Sequence, residues 1–269
     1  MLCLAFLTAG CGSTPAVKLS ENSHQTAYPA GLGFRLLATA SVGRRPVKTP
    51  LRCVTAASAT VGSFSVAYAA VVTRETVIRE APQGRSPLVG RLGRLDVNGF
   101  PEVLGMIGVH ESAGCVPDWY RVELSVVPNG MTGWVRASAL RTYRVDSRIV
   151  VDLSQRRLRL YRFGKLAFET PVAVGASATP TPLGRFFVNE RYVLPDASGP
   201  FGPYALGISA HSTALQHVWV QDGPIGIHGT NEPRSIGQAA SHGCIRVAND
   251  VMRRLFPLAP AGTPVIVRA

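Results

Sequence analysis

Short runs of β-forming residues alternate with turn signals over most of this chain, and the alternation restricts the fold more than any other feature. Runs at 149–153, 157–161 and 168–174 are rich in Val, Ile, Leu, Phe, Thr and Tyr, the residue types that favour strands. Turn-forming residues separate them, and the chain holds 27 Gly and 20 Pro. The helix that the sequence indicates most clearly begins near Asn249, as its cap, and ends before Pro257. We therefore predict a mainly β protein with one short helix.

The chain of 269 residues is long enough for two domains. Apolar types make up 46% of it and charged types 16%, which favours packed domains over a disordered chain. Residues 12–70 mix Ser, Thr, Ala, Pro and Gly without sustained periodicity, so we predict that 1–72 are leader and linker. Residues 73–143 are predicted to form a small all-β unit, and 144–269 a second β-rich unit.

Two segments near the N-terminus resemble export signals. An apolar run from Met1 ends in small residues before Cys11, as in a bacterial lipoprotein signal whose cysteine is acylated. A second uncharged stretch, 53–73, follows a basic segment and contains the cleavage-like triplet 67–69. A flexible linker is the third interpretation of this region. The sequence predicts export to the cell envelope, and it leaves open whether a lipid anchor at Cys11 holds the protein on the membrane.

The chain is strongly basic, with a net charge of +12 and a pI of about 10.2. Arginine carries most of this excess, because the only lysines are Lys18, Lys48 and Lys165. The arginines form short pairs without interleaved aromatic residues, so we do not expect a nucleic-acid partner. Their charge suits a neighbouring anionic polymer of any kind.

The five cysteines lack the paired spacing of a zinc ribbon or a thioredoxin-type motif, so no metal or cofactor is predicted. They are Cys3, Cys11, Cys53, Cys115 and Cys244. Whether Cys53 and Cys115 pair with each other stays open, since processing of the leader could remove Cys53.

The most informative segment runs from 227 to 246 and contains two histidines, three glycines and a cysteine suited to thiol chemistry. A thiol becomes a nucleophile as the thiolate, and a neighbouring imidazole can take its proton. Cys244 is the candidate nucleophile, and His228, on a separate segment, is a better candidate base than His242. The carbonyl of Gly229 could fix the tautomer of His228. The amides of Gly243 and Cys244 could form an oxyanion hole.

This segment resembles the catalytic domain of the L,D-transpeptidases (YkuD type), whose pattern is a His, a spacer and then Ser/Thr-His-Gly-Cys. Residues 181–186 and 202–207 also resemble family features, and the likeness extends over about 125 residues. By position, it implies Cys244 as nucleophile, His228 as base, Gly229 as its orienting residue and His242 as a supporting residue. It implies substrate contacts from three further residues: Arg246, Ser241 and Tyr204. Arg246 is as consistent with a structural ion pair as with binding of a substrate carboxylate.

The resemblance implies a peptidoglycan reaction and a role in cell-wall biogenesis and cell shape. The thiol would attack the bond between diaminopimelate and the terminal D-Ala of a tetrapeptide stem. An amine acceptor would give a 3→3 cross-link, whereas water would make the protein an L,D-carboxypeptidase. A wall-binding protein without catalysis and a zinc site of His228, His242 and Cys244 are the non-enzymatic alternatives. A sortase is less well supported, because its Thr-Leu-x-Thr-Cys pattern is absent.

Residues 73–143 resemble a bacterial SH3-like domain, a small barrel that often binds cell-wall peptides. The resemblance is carried by Trp119 and Tyr120, the Asn129-Gly130 turn and Trp134. We expect both tryptophans to be core residues of the barrel rather than ligand contacts.

Overall fold

Strands account for most of the regular structure in the residues that the structure describes, which are 59–112, 116–215 and 222–269. The structure is a computed structural model. The strands are β1 (Ala59–Thr60), β2 (Ala67–Val72), β3 (Thr76–Arg79), β4 (Leu88–Leu92), β5 (Val103–Ser112), β6 (Val116–Glu123), β7 (Thr132–Arg136), β8 (Leu140–Val145), β9 (Ser147–Asp152), β10 (Arg157–Arg162), β11 (Lys165–Pro171), β12 (Val174–Gly175), β13 (Gly184–Val193), β14 (Tyr204–His211), β15 (Pro224–His228), β16 (Ala239–Ser241), β17 (Ile245–Arg246) and β18 (Pro264–Arg268). One α-helix, α1 (Asn249–Leu258), lies in the described ranges, with short 3₁₀ turns at Ala137–Ala139 and Pro233–Ser235. The prediction of a mainly β fold with one short helix after Cys244 is confirmed.

The first sheet is antiparallel and has the strand order β4-β3-β7-β6-β5-β2-β8, with β1 paired to β5. Strand β2 lies between β5 and β8, and Ala69 and Ala70 within it are fully buried. The folded unit therefore begins upstream of residue 73, inside the segment predicted as linker. Signal cleavage after Ala69 would divide this strand. Trp119 and Trp134 are both buried.

The second sheet has the strand order β11-β10-β9-β18-β13-β14-β15-β17, and β12 pairs with β16 beside it. Within this sheet β9 and β18 are parallel, as are β15 and β17, whereas its other pairs are antiparallel. The β12–β16 pair is parallel. Helix α1 contributes Met252 and Leu255, both fully buried, to the core formed with Leu206, Ile227 and Ile245. This core covers one face of β14, β15 and β17, and it fixes the three strands that carry the site described below.

Polar contacts join the first sheet to the second. The amide of Asn129 donates to the His211 carbonyl at 2.7 Å and accepts from the His211 N–H at 2.8 Å. The Tyr143 hydroxyl donates to the Ala261 carbonyl at 3.0 Å. Burial raises the pKa of that hydroxyl above its usual range. Because these contacts are directional hydrogen bonds, they fix the orientation of the two sheets.

A cluster of carboxyl groups lies in the same interface. Glu190 on β13 accepts hydrogen bonds from Asn98, at 2.9 Å, and from the Tyr192 hydroxyl. Burial raises the pKa of Glu190 to about 7, helped by the charge of Asp96 and opposed by the two hydrogen bonds. Burial also raises the pKa of Glu102 to about 7, with further contributions from Asp96 and Glu190. The folded protein thus holds protons at a pH where exposed carboxyl groups have lost them.

We predict that the free energy of unfolding falls as the pH rises from about 4.5 to about 7, because the unfolded carboxyl groups release their protons first. Glu190→Gln, which resembles the protonated form, should reduce this fall by on the order of 1–3 kcal/mol. Urea unfolding at pH 5 and pH 8 measures the effect, with Glu75→Gln at an exposed position as control. An equal pH dependence in wild type and Glu190→Gln would contradict the assignment.

Several sequence predictions fall outside the described residues. Cys11, Cys53 and Cys115 are among these positions, so the lipid anchor and the cysteine pairing stay predictions. Within the described ranges, none of the helical structure has the length and apolar character needed to cross a membrane.

Candidate active site

The candidate base and the candidate nucleophile come from neighbouring parallel strands. Strand β15 pairs with β17 so that Ile227 lies opposite Ile245 and His228 lies opposite Arg246. Cys244 directly precedes β17, and the Gly226 N–H on β15 donates to its sulfur at 3.4 Å. The thiol therefore lies beside β15, two residues along that strand from His228. An amide donor at the sulfur stabilises the thiolate form.

His228 is buried, with 3% of its surface exposed, and its ring orientation is fixed. Its Nδ1 lies 2.6 Å from the carbonyl oxygen of Gly229. A carbonyl can only accept, so Nδ1 carries the proton and Nε2 keeps its lone pair. The Phe201 ring packs edge-on against the imidazole, with ring centres 4.9 Å apart. Nε2 is thus the basic atom, as the sequence analysis expected from the Gly229 carbonyl.

Burial lowers the pKa of His228 to about 4, because an imidazolium loses its hydration inside the protein. The hydrogen bond to the Gly229 carbonyl opposes this effect, and the nearby positive charge of Arg246 adds to it. At neutral pH the imidazole is therefore uncharged, which is the form that can accept a proton.

Gly229 is required by close packing. A Cβ at this position would lie 2.2 Å from Oδ1 of Asn249 and 3.0 Å from Cα of Gly202. The same Oδ1 accepts a hydrogen bond from the Thr230 N–H at 2.8 Å. Asn249 therefore holds the segment that orients His228. Asn249, predicted as the helix cap, is the first residue of α1, and the cap position is Ala248. Pro257, predicted to end the helix, lies within its last turn.

Cys244, the candidate nucleophile, lies at the end of a tight turn over 241–244. Gly243 has a φ of +117°, and a Cβ there would lie 2.8 Å from Cδ1 of Ile225, so only glycine fits. The Ser241 hydroxyl accepts from the Gly243 N–H at 3.1 Å and donates to the Cys244 carbonyl at 2.6 Å. These two bonds fix the turn locally.

Two predicted roles change as a result. Ser241 was expected to contact substrate, but it is 2% exposed and its hydroxyl is used inside the turn. Its two hydrogen bonds hold the turn that carries Cys244, the candidate nucleophile. The Gly243 amide, expected in the oxyanion hole, donates to the Ser241 hydroxyl in this structure, and the Cys244 amide stays a predicted donor.

The segment 175–181 contacts the turn over 241–244 through hydrogen bonds and strand pairing. The Thr181 hydroxyl donates to the Gly243 carbonyl at 2.8 Å, and the Thr179 hydroxyl donates to the Ser241 carbonyl at 3.1 Å. Strand β12 also pairs with β16, which ends at Ser241. The turn is therefore held at both carbonyls by a second part of the chain.

Arg246 forms an ion pair with Glu232, whose carboxylate oxygen lies 2.5 Å from Nη1. The arginine side chain is 19% exposed and the glutamate 66%. Of the two interpretations left open for Arg246, this structure contains the ion pair. Glu232 also lines an open recess of about 510 Å³ beside this pair. The lining residues are Asn231, Glu232, Pro233, Arg234, Ser235 and Gln238. His242 lies exposed on the nucleophile turn.

The backbone carbonyl of Tyr204 accepts from the Gly229 N–H at 3.3 Å, but its side chain lies on the face of the sheet away from His228. Ala205, its neighbour, pairs with His228 across β14 and β15, so Tyr204 points to the opposite face of the sheet. There its ring stacks on Phe256 of α1, with ring centres 4.5 Å apart and planes 22° apart. In this structure the Tyr204 ring packs under the helix, and its substrate contact stays a prediction.

Sequence reasoning missed three residues that the structure places around His228 and Cys244, namely Phe201, Asn249 and Thr181. Thr181 belongs to the 181–186 segment that resembles the family, but nothing local indicated its contact with a turn 62 residues away. Within the described parts of the chain, no three His, Cys, Asp or Glu side chains are grouped so that they could hold a metal ion.

The charge of Arg246 gives a prediction for the pH dependence of the site. Because that charge lowers the pKa of His228, Arg246→Gln should raise it and move the acid limb of the rate profile to higher pH. Glu232→Gln keeps the arginine charge and should not move the limb upward. The pH profile of Cys244 acylation by a β-lactam measures both. An unchanged limb in Arg246→Gln would contradict the predicted effect.

Comparison with known proteins identifies the family. A sequence profile of the L,D-transpeptidase catalytic domain (YkuD) matches residues 146–267. YkuD of Bacillus subtilis, whose name assigns it to the L,D-transpeptidases, is 38% identical over 125 residues, which are 46% of this chain and 68% of that protein. YkuD of Bacillus licheniformis is 43% identical over 123 residues, 46% of this chain and 66% of that protein. The chain therefore belongs to the L,D-transpeptidase family.

The matches span about two thirds of the length of these relatives. The family profile, which matches residues 146–267, leaves the first sheet outside. Among solved structures, the catalytic domain of the E. faecium L,D-transpeptidase is 29% identical and covers 46% of this chain and 97% of its own, with a TM-score of 0.35. An L,D-transpeptidase of Mycobacterium tuberculosis H37Rv is 21% identical and covers 57% of this chain and 70% of its own, with a TM-score of 0.39. The family assignment rests on the sequence relatives.

Proposed function

We propose that this enzyme of the L,D-transpeptidase family forms 3→3 cross-links in peptidoglycan through an acyl-enzyme on Cys244. One observation carries the proposal: a buried, uncharged imidazole with a fixed tautomer lies on the strand next to the thiol. That arrangement supplies a base with a free lone pair on Nε2, which is what a thiol nucleophile needs near neutral pH. The family relatives support the reaction class.

The first step transfers the stem peptide to the enzyme. The Cys244 sulfur attacks the carbonyl carbon at the L-centre of diaminopimelate, and its proton passes to Nε2 of His228. A C–S bond forms, the C–N bond to the terminal D-Ala breaks, and His228 returns the proton to the leaving amine. The product is a thioester and free D-Ala. The Cys244 amide faces the carbonyl oxygen as negative charge develops on it.

The second step transfers the stem to an acceptor. An amine of a neighbouring stem attacks the thioester carbonyl, the new C–N bond forms, and the C–S bond breaks. The amine proton passes through His228 back to the sulfur, so the enzyme is regenerated. Water in place of the amine would release a tripeptide, which is the L,D-carboxypeptidase reaction.

The test uses the full chain and a purified disaccharide-tetrapeptide, with products identified by mass spectrometry. We expect a dimer whose mass equals two substrates less one D-Ala. Tripeptide without dimer would instead assign the carboxypeptidase reaction. The matched control is the same stem with L-Ala at its end, which should not react. Failure to release D-Ala from the tetrapeptide would contradict the proposed function, and binding without release would favour a wall-binding protein.

We also propose that the enzyme works in the cell envelope. The signal-like segments, the net charge of +12 and the need to reach peptidoglycan support this location. The first sheet, which resembles an SH3-like domain in sequence, is the part proposed to contact wall peptides or anionic wall polymers. Fractionation of the producing cells tests the location, and recovery of the native protein in the cytosol would contradict it.

A further inference from the structure

Thr181 is buried, at 3% exposure, and its hydroxyl makes two bonds whose direction can be assigned. The Gly175 N–H donates to Oγ1 at 2.9 Å, and Oγ1 lies 2.8 Å from the Gly243 carbonyl oxygen. An amide can only donate and a carbonyl can only accept, so the one hydroxyl proton goes to the carbonyl of Gly243. This hydroxyl therefore links β12 to the peptide immediately before the nucleophile.

The bond fixes the plane of the Gly243–Cys244 peptide. This peptide bond is trans, since Val127–Pro128 is the cis bond found in the described residues. In a trans peptide the carbonyl oxygen of one residue and the N–H of the next point in opposite directions across the same plane. Because the Gly243 carbonyl points inward to the buried Thr181, the Cys244 N–H points outward, away from it.

The orientation of this peptide needs such a restraint. Gly243, with its φ of +117°, has a wide range of backbone angles, so the peptide that follows it can rotate more freely than after any other residue. Ser241 holds the amide before Gly243 and the carbonyl after Cys244, but neither bond acts on the Gly243–Cys244 plane itself. The hydrogen bond from the Thr181 hydroxyl to the Gly243 carbonyl does act on that plane.

We propose that Thr181 is a positioning residue that orients the Cys244 amide toward the oxygen of the reacting carbonyl. The inference rests on the proposed function, because an oxyanion forms only when the thiol attacks a carbonyl. In that step the C–S bond forms, the carbonyl π electrons move to oxygen, and the thiol proton goes to His228. Thr181 touches neither the substrate nor the sulfur, and it acts through the Gly243 carbonyl.

The test separates oxyanion formation from thiol reactivity. Acylation by a carbapenem passes through an oxyanion. When this oxyanion collapses, the lactam C–N bond breaks and the lactam nitrogen takes the proton. Alkylation by iodoacetamide displaces iodide from carbon and forms no oxyanion. Both reactions use the same Cys244 thiol. Because the chain has four other cysteines, both rates are read over time on the full chain by digestion and mass spectrometry of the peptide that contains Cys244.

Thr181→Val, which has nearly the same shape but no hydroxyl, should acylate about 10- to 100-fold more slowly than wild type. Its alkylation rate should change by less than about threefold, since a folded site keeps the thiol and His228 in place. Thr181→Ser restores the hydroxyl and should recover most of the acylation rate. This pattern would support the proposal.

Two results would overturn it. If Thr181→Val acylates at the wild-type rate, the hydroxyl does not orient the donor. If acylation and alkylation fall by the same factor, Thr181 is only a structural residue. A wild type that is alkylated but never acylated would overturn the proposed function and this inference together, whereas the first two results leave the proposed function standing.

Discussion

Cys244→Ala is expected to abolish acylation of this chain by a carbapenem, whereas the wild-type chain should gain the mass of one drug molecule. The attacking atom is the Cys244 sulfur, and alanine offers no replacement nucleophile. Removing a nucleophile from a working unit costs three orders of magnitude or more in rate, roughly, so no adduct should form within the time of the experiment. Intact-mass spectrometry reads the result directly.

The four other cysteines make this test internally controlled. Cys3, Cys11, Cys53 and Cys115 remain in the Cys244→Ala variant and report any non-specific reaction with the drug. Cys115→Ala is the matched control and should keep the full adduct. A single adduct that persists in Cys244→Ala would assign the reaction to another residue, and an unmodified wild type would count against a thiol acyltransferase.

The β-rich fold could be predicted because most of its strands follow local patterns of residue type. Strands such as β9 and β10 follow runs of β-branched and aromatic residues bounded by turn signals, so periodicity and composition suffice. Strand β2 was missed for the converse reason. It lies between two neighbours and its buried residues include two alanines, so it shows neither alternation nor strong β propensity.

The candidate site could be predicted in part. The His228 and Cys244 motifs are local, and the hydrogen bond from His228 to Gly229 joins adjacent residues, so the sequence indicated all three. Tyr204 and Ser241 could not be assigned in this way, because the face of a strand and the depth of a turn depend on sheet register and on residues far along the chain.

Asn249 illustrates the same limit. Its position before a helical segment favours a cap, since Asn caps helices well in isolation. In the folded chain its side chain instead accepts a hydrogen bond from Thr230, 19 residues earlier, and packs against Gly229 and Gly202. Tertiary contacts to the base segment outweigh the local preference, and they cannot be found without the fold.

His228→Gln should lower the rate of carbapenem acylation at pH 7 by about 10²- to 10⁴-fold, the range for loss of a general base. Glutamine fills much of the same volume under Phe201 but cannot take the thiol proton. In wild type the rate should fall as the pH drops through about 4, because the neutral imidazole is the active form and exists above its pKa. In His228→Gln the thiol must ionise unaided, so the rate should rise toward about pH 8.5, the usual thiol pKa.

The comparison with His242→Gln decides which histidine is the base. His242 lies exposed two residues before Cys244, and its replacement should reduce the rate by less than about tenfold and leave the pH profile unchanged. Acylation rates between pH 4 and pH 9 for wild type and both variants give the answer. If the alkaline-shifted profile appears in His242→Gln instead, then the exposed imidazole is the base, and the buried one serves to hold the Gly229 segment in place.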